Sequence, residues 1–299
     1  MIFLLAAIGV LGVGASGPLI AATPSVPPMA MAFWRNAIGG VVMAAPVLVR
    51  RPASLLRAGR REWGWSAAAA LALALHFVCF TTSIRMTSVA AATALVCLQS
   101  AWIALFQVLR GVRFPPLVGI GIGVAFIGVV VITGFDLGGS AEALRGDLLA
   151  LVGGALAGAY TLAGSKARET MSTGAYTGLC YVLTALILLA LCLVFDEPLW
   201  GFPPEGWLGI IALTVCAQLL GHSVFNHLLN ALGPLTVSTI ILLEIPAAAL
   251  LAAGFLGERL PAGTYGGLVL ILAGLVAVVR GQRRRGPGVV LAEPGLGAD

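Results

Sequence analysis

Long apolar runs separated by short polar segments dominate the chain up to about residue 280. Most are about 20 residues long, and they cover 2–22, 30–49, 64–84, 87–109, 115–134, 146–165, 175–195, 206–229, 235–256 and 262–280. Because a helix rises about 1.5 Å per residue, about 20 apolar residues are enough to cross the hydrocarbon of a bilayer. The pattern therefore predicts an all-α membrane protein with ten transmembrane helices joined by short turns.

Composition excludes a soluble fold. The chain has 299 residues, of which 60% are hydrophobic and only 10% charged, and its mean hydropathy is +1.04. An ordinary soluble domain is about 25% charged. The net charge of +5 does not indicate nucleic-acid binding, because the basic residues lie between the apolar runs. The five cysteines lie inside apolar runs without metal-ligand spacing, so we expect no metal and no cofactor.

Basic residues are divided unevenly between the two sides of the predicted bundle. With a cytoplasmic N-terminus, the inner loops and tail hold thirteen of them: Arg50, Arg51, Arg57, Arg60, Arg61, Arg110, Arg113, Lys166, Arg168, Arg280, Arg283, Arg284 and Arg285. The outer loops hold Arg85, Arg145 and Arg259. The positive-inside rule therefore places both termini in the cytoplasm and the chain in the inner or plasma membrane. Residues 281–299 are expected to form a disordered cytoplasmic tail.

The chain also repeats itself. Residues 89–115 align without gaps on 235–261, at an offset of 146 residues. The same offset pairs Gly12 with Gly158, His76 with His222, Gly121 with Gly267, and Gly128 with Gly274. Helices rich in leucine, alanine and glycine align loosely by chance, but paired turns and paired histidines at one offset favour a true repeat. Five spans per half would invert the second half, as in transporters with a substrate site at the midplane. We therefore expect two inverted five-helix repeats, at 1–134 and 146–280.

Short motifs punctuate the second half. They read Gly146-Asp147 at its start, Leu-Glu-Ile-Pro at 243–246 and Leu-Gly-Glu-Arg-Leu at 256–260. Together with the paired halves they resemble the EamA-type branch of the drug/metabolite transporter superfamily. The first half departs from that pattern, with Gln99-Ser100 in place of a Glu-Pro pair and Val112 in place of an acid. The resemblance implies a secondary transporter working by alternating access. We expect an exporter of small polar or amphipathic metabolites, either amino-acid-like compounds or drugs.

Glu244 is the single charged residue between 235 and 257, and it lies at the midpoint of that stretch. A carboxylate there costs roughly 2.5–3.5 kcal/mol on insertion scales unless it faces protein or water. Pro246 removes a helix hydrogen bond beside it, which predicts a break. Glu244 is either a proton-coupling or cation-binding group or a brace for the kink, and the sequence favours neither.

The eighth run carries a polar stripe at four-residue spacing, formed by Gln218, His222, Asn226 and Asn230. This spacing places all four on one helix face. His222 and Asn226 lie at mid-depth and favour a cavity wall, whereas Asn230 and His227 lie near the cytoplasmic end. The alternative is interhelical hydrogen bonding, worth about 0.6–2 kcal/mol per contact.

Other polar or aromatic residues in the runs extend the candidate lining. His76 is the repeat partner of His222, which makes a shared central site as plausible as a packing role. Gln99, Ser100, Trp102 and Tyr160 would add amide, hydroxyl and aromatic surfaces, although Trp102 also suits simple packing. Arg35 is the basic residue set well inside a span. We expect it to snorkel to the outer headgroups. The alternative is a counter-charge for Glu244 or for a substrate carboxylate.

The first and sixth runs are rich in glycine, and the first also contains Pro18. Interrupted spans in matching positions indicate helices that line or gate a path. Pro18 and Pro246 are therefore candidate hinges, with plain packing as the alternative. Glycines on the fifth and tenth runs form small-residue faces. These faces pack either the two halves or a homodimer, and the sequence leaves both open.

Two other classes of function fit less well. An intramembrane lipid-handling enzyme needs a convergent catalytic set. This sequence has a single central acid and neither a Gly-x-Ser-x-Gly nor a His-Glu-x-x-His motif. A membrane scaffold would usually carry a folded extramembrane domain, yet the longest loops have about a dozen residues. We therefore expect a protein that is not an enzyme, embedded in lipid, with a small molecule as its substrate.

Overall fold

The computed structural model describes residues 1–50, 59–134, 140–257 and 262–283, and every regular element in these ranges is helical. In chain order the helices are α1 (Ile2–Gly14), α2 (Ser16–Ala21), α3 (Pro28–Arg50), α4 (Arg60–Ser83), α5 (Val89–Val96), α6 (Gln99–Leu109), α7 (Pro116–Gly134), α8 (Ala141–Ala167), α9 (Thr173–Val194), α10 (Pro204–Leu213), a π-helix (Thr214–His222), α11 (Ser223–Ile241), α12 (Glu244–Leu256) and α13 (Ala262–Arg283). The prediction of an all-helical protein is confirmed. Residues 281–283, expected to begin the disordered tail, belong to α13. The rest of the predicted tail lies outside the described residues, as does the part of the Gly-Glu-Arg turn beyond Gly257.

Seven stretches of the described chain are long and apolar enough to cross a membrane. They are Ile2–Ala21, Pro28–Arg50, Arg60–Ser83, Val89–Leu109, Ala141–Ala167, Thr173–Val194 and Pro204–Ile241. Three shorter apolar helices accompany them: Pro116–Val131, Glu244–Leu256 and Tyr265–Val278. Nine of the ten apolar runs identified in the sequence each overlap one of these helical stretches, and the run 235–256 is divided between Pro204–Ile241 and Glu244–Leu256.

The stretch Pro204–Ile241 is not one straight helix. Gly233 has φ 75° and ψ 163°, a conformation that favours glycine, and Pro234 follows it. Asn226 and Ile241 line the same cavity, although a straight helix would hold them about 22 Å apart. The chain therefore reverses direction at Gly233, which separates the run 206–229 from the first part of the run 235–256 within this stretch.

Two spans are interrupted near their middle. α5 ends at Val96 and α6 begins at Gln99, and likewise α11 ends at Ile241 and α12 begins at Glu244. Within both interruptions, backbone N–H groups donate to carbonyls three residues earlier, which tightens the turn. Pro246 lies in the first turn of α12, where its missing N–H is tolerated. The interruption in the first half contains no proline, so proline alone does not explain these breaks.

A similar interruption lies near Pro18. α1 and α2 are separated by Ala15, three residues before this proline. Pro18 has no N–H to donate to the carbonyl of Gly14, so the regular ladder is broken at this point.

The helices α7 and α13 pack closely through matched glycines. A Cβ atom added at Gly121 would lie 2.7 Å from the carbonyl oxygen of Gly274, and one added at Gly128 would lie 2.7 Å from that of Gly267. The first glycine of one helix meets the second glycine of the other, so α7 and α13 run antiparallel. The sequence left open whether these faces join the halves or two chains. In the structure, Gly121 and Gly128 of α7 pack against Gly274 and Gly267 of α13, so these glycines join the two halves of one chain.

The connecting segments gather at two ends of the bundle. At one end, which we call the Glu197 end, the Glu197 carboxylate accepts a hydrogen bond from the N–H of Met29 at 3.0 Å, and Arg85 donates to the carbonyl of Thr23 at 2.7 Å. At the other, the Arg168 end, Asn230 donates to the carbonyl of Arg168 at 2.8 Å. The central cavity lies between these two ends.

Candidate functional site

A cavity of about 40 Å³, with several polar groups set in a mainly apolar wall, lies where the interrupted spans meet α4, α8 and the π-helix. Its walls include six of the residues singled out from the sequence: His76, Gln99, Tyr160, His222, Asn226 and Glu244. In this conformation it has room for about three water molecules. Polar residues from both halves of the chain therefore converge on one small cavity.

Two imidazole rings on the cavity wall lie edge to face. The ring centroids of His76 and His222 are 6.5 Å apart, with the planes inclined at 67°. Nδ1 of His76 lies 2.9 Å from the carbonyl oxygen of Gly153. A carbonyl oxygen only accepts, so Nδ1 carries the hydrogen and Nε2 of the neutral ring is an acceptor. The two histidines, related by the sequence repeat, thus supply polar edges to the same cavity.

Asn226 is held by two phenols. Its Nδ2 atom donates to the hydroxyl of Tyr160 at 2.6 Å and to that of Tyr181 at 3.4 Å. The Tyr181 hydroxyl also lies 3.2 Å from the hydroxyl of Ser223. These bonds fix the amide plane of Asn226 against the cavity and direct its N–H donors to the tyrosines, so its carbonyl oxygen is the acceptor that this side chain can offer.

Glu244 occupies the first position of α12 and is 7% exposed. The thiol of Cys97, in the other interruption, lies 3.8 Å from Oε2. Within the described residues, no basic side-chain nitrogen lies within 4 Å of this carboxylate. Glu244 is therefore a buried acid on the cavity wall without an ion-pair partner in that part of the chain.

Arg35 does not snorkel to the headgroups, and that expectation was wrong. Its side chain is fully buried, its Nε donates to Oε1 of Gln218 at 2.9 Å, and its guanidinium carbon lies 4.2 Å from the ring centroid of Phe77. The side-chain amide of Gln218, in the π-helix, and the ring of Phe77, in α4, cover the guanidinium. The side chain therefore cannot extend to the membrane surface.

The predicted polar stripe is divided. Gln218 lies in the π-helix, whose i→i+5 hydrogen bonds change the angular spacing of residues relative to an α-helix. Gln218 contacts Arg35 instead of lining the cavity, whereas His222 and Asn226 line it. Asn230 lies at the Arg168 end, and nearby His227 has its Nδ1 atom 3.2 Å from the hydroxyl of Thr173.

Two further candidates lie away from the cavity. Ser100 is buried but is not part of the cavity wall. Trp102 stacks on Phe106 with centroids 6.1 Å apart. The cavity also includes Ser16 and Thr161, which sequence reasoning missed. The sequence signal for these two residues was their location. Both lie in the glycine-rich first and sixth runs, which were predicted to line or gate the transport path.

Comparison with known proteins adds a family assignment. The EamA-like transporter family matches this chain twice, over residues 1–134 and 144–280. The uncharacterized transporter YwfM of Bacillus subtilis (strain 168) is 24% identical over 297 residues, covering 91% of each chain. An uncharacterized transporter of Archaeoglobus fulgidus is 24% identical over 262 residues, which is 86% of this chain and 89% of that protein.

One solved crystal structure shares the fold. It has a TM-score of 0.72 at 21% sequence identity and covers 94% of this chain and 97% of its own. At this level of identity the likeness concerns the fold alone. Because the family match spans both halves, this chain belongs to the EamA-like transporter family of multi-pass membrane transporters.

Proposed function

We propose that this protein is a secondary exporter of small polar or amphipathic metabolites, either amino-acid-like compounds or drugs. Two inverted five-helix halves, 1–134 and 146–280, would cross the membrane ten times and rock against each other around the central cavity. The observation that carries the proposal is the convergence of His76, His222 and Glu244 on one cavity where two interrupted spans meet.

Three features support the inverted halves. The interruptions at 97–98 and 242–243 lie at almost the same place in each half. Gly111 and Gly257, paired by the sequence offset, both have positive φ, at 83° and 69°. The glycines of α7 and α13 cross in an antiparallel pair, as two helices related by a two-fold axis in the membrane plane would.

The cavity holds about three water molecules in this conformation, so a metabolite enters only when one end of the bundle opens. The hydrogen bonds of Arg85 and Glu197 would separate in opening one end, and those of Arg168 and Asn230 in opening the other. Alternation between these two openings is the transport cycle we propose.

Glu244 is the carboxyl group that lines the cavity in the described part of the chain, and it would couple transport to protons. A single carboxyl binds either a proton or a cationic group of the substrate, but not both at once. Exchange at one site lets protons that enter the cell drive substrate out. This competition is the physical basis for proposing export.

The orientation belongs to the same proposal. Lys166 and Arg168 lie at the Arg168 end. Ten spans would bring the basic residues near 50 and 110 to the same side of the membrane. By the positive-inside rule this end faces the cytoplasm, with both termini, and the Glu197 end faces outwards. The chain would lie in the inner or plasma membrane.

Reconstitution tests the proposal directly. Liposomes that contain the purified protein are loaded with labelled amino acids or amine drugs and diluted into more acidic buffer. We expect faster efflux than from protein-free liposomes, and we expect a protonophore to abolish the excess. Efflux equal to that of protein-free liposomes would favour a lipid-handling enzyme or a scaffold. Efflux that is insensitive to the protonophore would retain transport and remove proton coupling.

A further inference from the structure

Arg35 retains unused hydrogen-bonding capacity in the middle of the bundle. Its side chain is 0% exposed, yet Nη1 and Nη2 have no hydrogen-bond partner in the part of the chain that the structure describes. Nε alone is engaged, by Gln218. A buried cation with unsatisfied donors is costly, so an arrangement of this kind points to an acceptor that completes it.

The surrounding hydrogen bonds fix the guanidinium without satisfying it. Nε2 of Gln218 donates to Oδ1 of Asn36 at 3.0 Å, and Nδ2 of Asn36 donates to the carbonyl of Ala32 at 2.8 Å. This chain of donors commits the Gln218 oxygen to Arg35 and keeps the head group in place. Across the described ranges, no carboxylate lies within 4 Å of the guanidinium. The protein thus positions a cationic fork and leaves its two outer nitrogens for something else.

One aromatic ring stands between that fork and the cavity. The guanidinium carbon lies 4.2 Å from the centroid of Phe77, and Phe77 is part of the cavity wall. The same ring makes an edge contact with His222 at a centroid distance of 5.5 Å. Displacement of this single side chain would expose the guanidinium to the part of the cavity beside His222.

The cavity wall also carries the opposite charge. Glu244 lines the cavity, and no ion pair joins it to Arg35 within the described residues. A ligand with one charge would leave either the carboxylate or the guanidinium without a partner, whereas a zwitterion satisfies both. The remaining wall includes Val96, Val237 and Ile241, which would suit an apolar side chain.

We propose that Arg35 is a carboxylate-binding subsite screened by Phe77, and that the substrate is a zwitterion of the α-amino-acid type with an apolar side chain. The ammonium group of the substrate binds Glu244. The substrate carboxylate accepts hydrogen bonds from Nη1 and Nη2 of Arg35 as a bidentate pair, the geometry for which a planar guanidinium is suited. This inference rests on the proposed transport function and specifies its substrate class.

Three matched probes test it: L-leucine, 3-methylbutylamine, which lacks the carboxylate, and 4-methylpentanoate, which lacks the ammonium group. Their binding to the purified full-length protein is measured by calorimetry. We expect leucine to bind more tightly than either single-charge probe by about tenfold or more, the scale of one charge-assisted hydrogen bond. In Arg35→Gln this preference over the amine should disappear, while affinity for the amine stays within about twofold.

Two further variants sharpen the result. Arg35→Lys keeps the charge but not the fork, so it should retain only part of the preference for leucine. Arg145→Gln removes an exposed arginine in α8, away from the cavity, and should leave all three affinities unchanged. If Arg35→Gln weakens leucine and the amine equally, Arg35 has a structural role and the subsite is overturned. The subsite is also overturned if the wild-type protein does not prefer leucine.

Flux is scored separately, in the liposome assay. Transport of amines and amino acids alike, unaffected by Arg35→Gln, would remove the carboxylate subsite and leave the proposed function intact. Leucine binding that depends on Arg35, without flux of any solute, would retain the subsite and remove the transport proposal.

Discussion

The thiol sulphur of Cys97 lies 3.8 Å from Oε2 of Glu244 and at the same distance from the carbonyl oxygen of Ile241. Cys97 belongs to the interruption of one span, and Glu244 begins the helix that follows the interruption of another. The interruptions of the two halves are therefore in contact. A change in the charge of Glu244 acts at the point where both halves meet, the place where a small local event would bias a larger movement.

Glu244→Gln should uncouple transport from protons. The amide keeps the size of the carboxyl group and a hydrogen-bonding oxygen, but it cannot release a proton. We expect efflux driven by a pH gradient to fall to the level of protein-free liposomes. Exchange of labelled for unlabelled substrate at equal pH should continue at saturating substrate, with weaker binding, because the amide oxygen still accepts a hydrogen bond from the ammonium group. The measurement is the ratio of gradient-driven efflux to exchange in the same preparation.

Glu205→Gln provides the control for that experiment. Glu205 is exposed in the first turn of α10, outside the cavity, so its replacement should leave the ratio unchanged. Full gradient-driven efflux by Glu244→Gln would exclude Glu244 as the coupling group and leave it the role of a brace beside the interruption.

Removal of one phenolic hydroxyl should weaken substrate recognition. Tyr160→Phe deletes the acceptor that holds Asn226 at 2.6 Å and leaves the amide free to turn. Loss of one such hydrogen bond is worth about 1–2 kcal/mol, which corresponds to a rise of roughly five- to thirtyfold in KM. Initial rates of efflux at graded substrate concentrations give this value.

A second tyrosine supplies the comparison. Tyr176 is equally buried but lies outside the cavity wall, in the core formed around α9. Tyr176→Phe removes the same atom at a distance from the proposed substrate and should leave KM unchanged. Equal effects of the two substitutions would mean that Tyr160 acts through the stability of the bundle and not through the cavity.

The two ends of the bundle should differ in their access from outside the cell. Ser25 is exposed at the Glu197 end, and Glu169 is 49% exposed at the Arg168 end. In intact cells, a membrane-impermeant maleimide should label Ser25→Cys, and it should label Glu169→Cys only after permeabilisation. Labelling in the reverse order would invert the proposed orientation.

The unmodified protein serves as the background for that labelling. Its free cysteines, Cys79, Cys97, Cys180, Cys192 and Cys216, all lie within the spans. They should therefore react little with a polar reagent in either condition.

Hydrophobic pattern was sufficient to predict the helices, because each span has to cover its backbone with a continuous apolar run whatever its neighbours are. The sequence repeat also pointed to His76 and His222 as a pair, and both line the same cavity. Pattern failed where the outcome depends on a neighbour. Arg35 was placed at the surface from its depth alone, because nothing in the sequence shows that Phe77 and Gln218 cover it.

Backbone geometry was the other limit. The four-residue spacing of the polar stripe assumed an α-helix, and the π-helix at Thr214–His222 turned Gln218 away from the cavity. Such a π-helix has no clear sequence signal. Proline predicted one interruption correctly in its approximate place, but the interruption between Val96 and Gln99 contains none. That interruption contacts the other half through Cys97, which lies beside Ile241 and Glu244, and a local reading of the sequence does not include such contacts.

The matched glycines of α7 and α13 give a prediction that concerns stability alone. Gly128→Val places a side chain where a Cβ would already lie 2.7 Å from the carbonyl oxygen of Gly267 and 2.9 Å from the backbone nitrogen of Ile271. Backbone atoms cannot move aside without separating the helices, so we expect a loss of about 1–3 kcal/mol, the usual scale of overpacking. The measurement is the temperature at which the detergent-purified protein stops eluting as a single species.

Gly123→Val is the matched control, because Gly123 is exposed on the same helix and a Cβ there has no neighbour within 4 Å. This substitution should change the transition temperature little. Gly267→Val should destabilise the protein as Gly128→Val does. The double variant should lose less than the sum of the two, because both substitutions push apart the same contact. Equal stability of the Gly128→Val and Gly123→Val proteins, or a change in oligomeric state in place of stability, would mean that these glycines do not hold the two halves together.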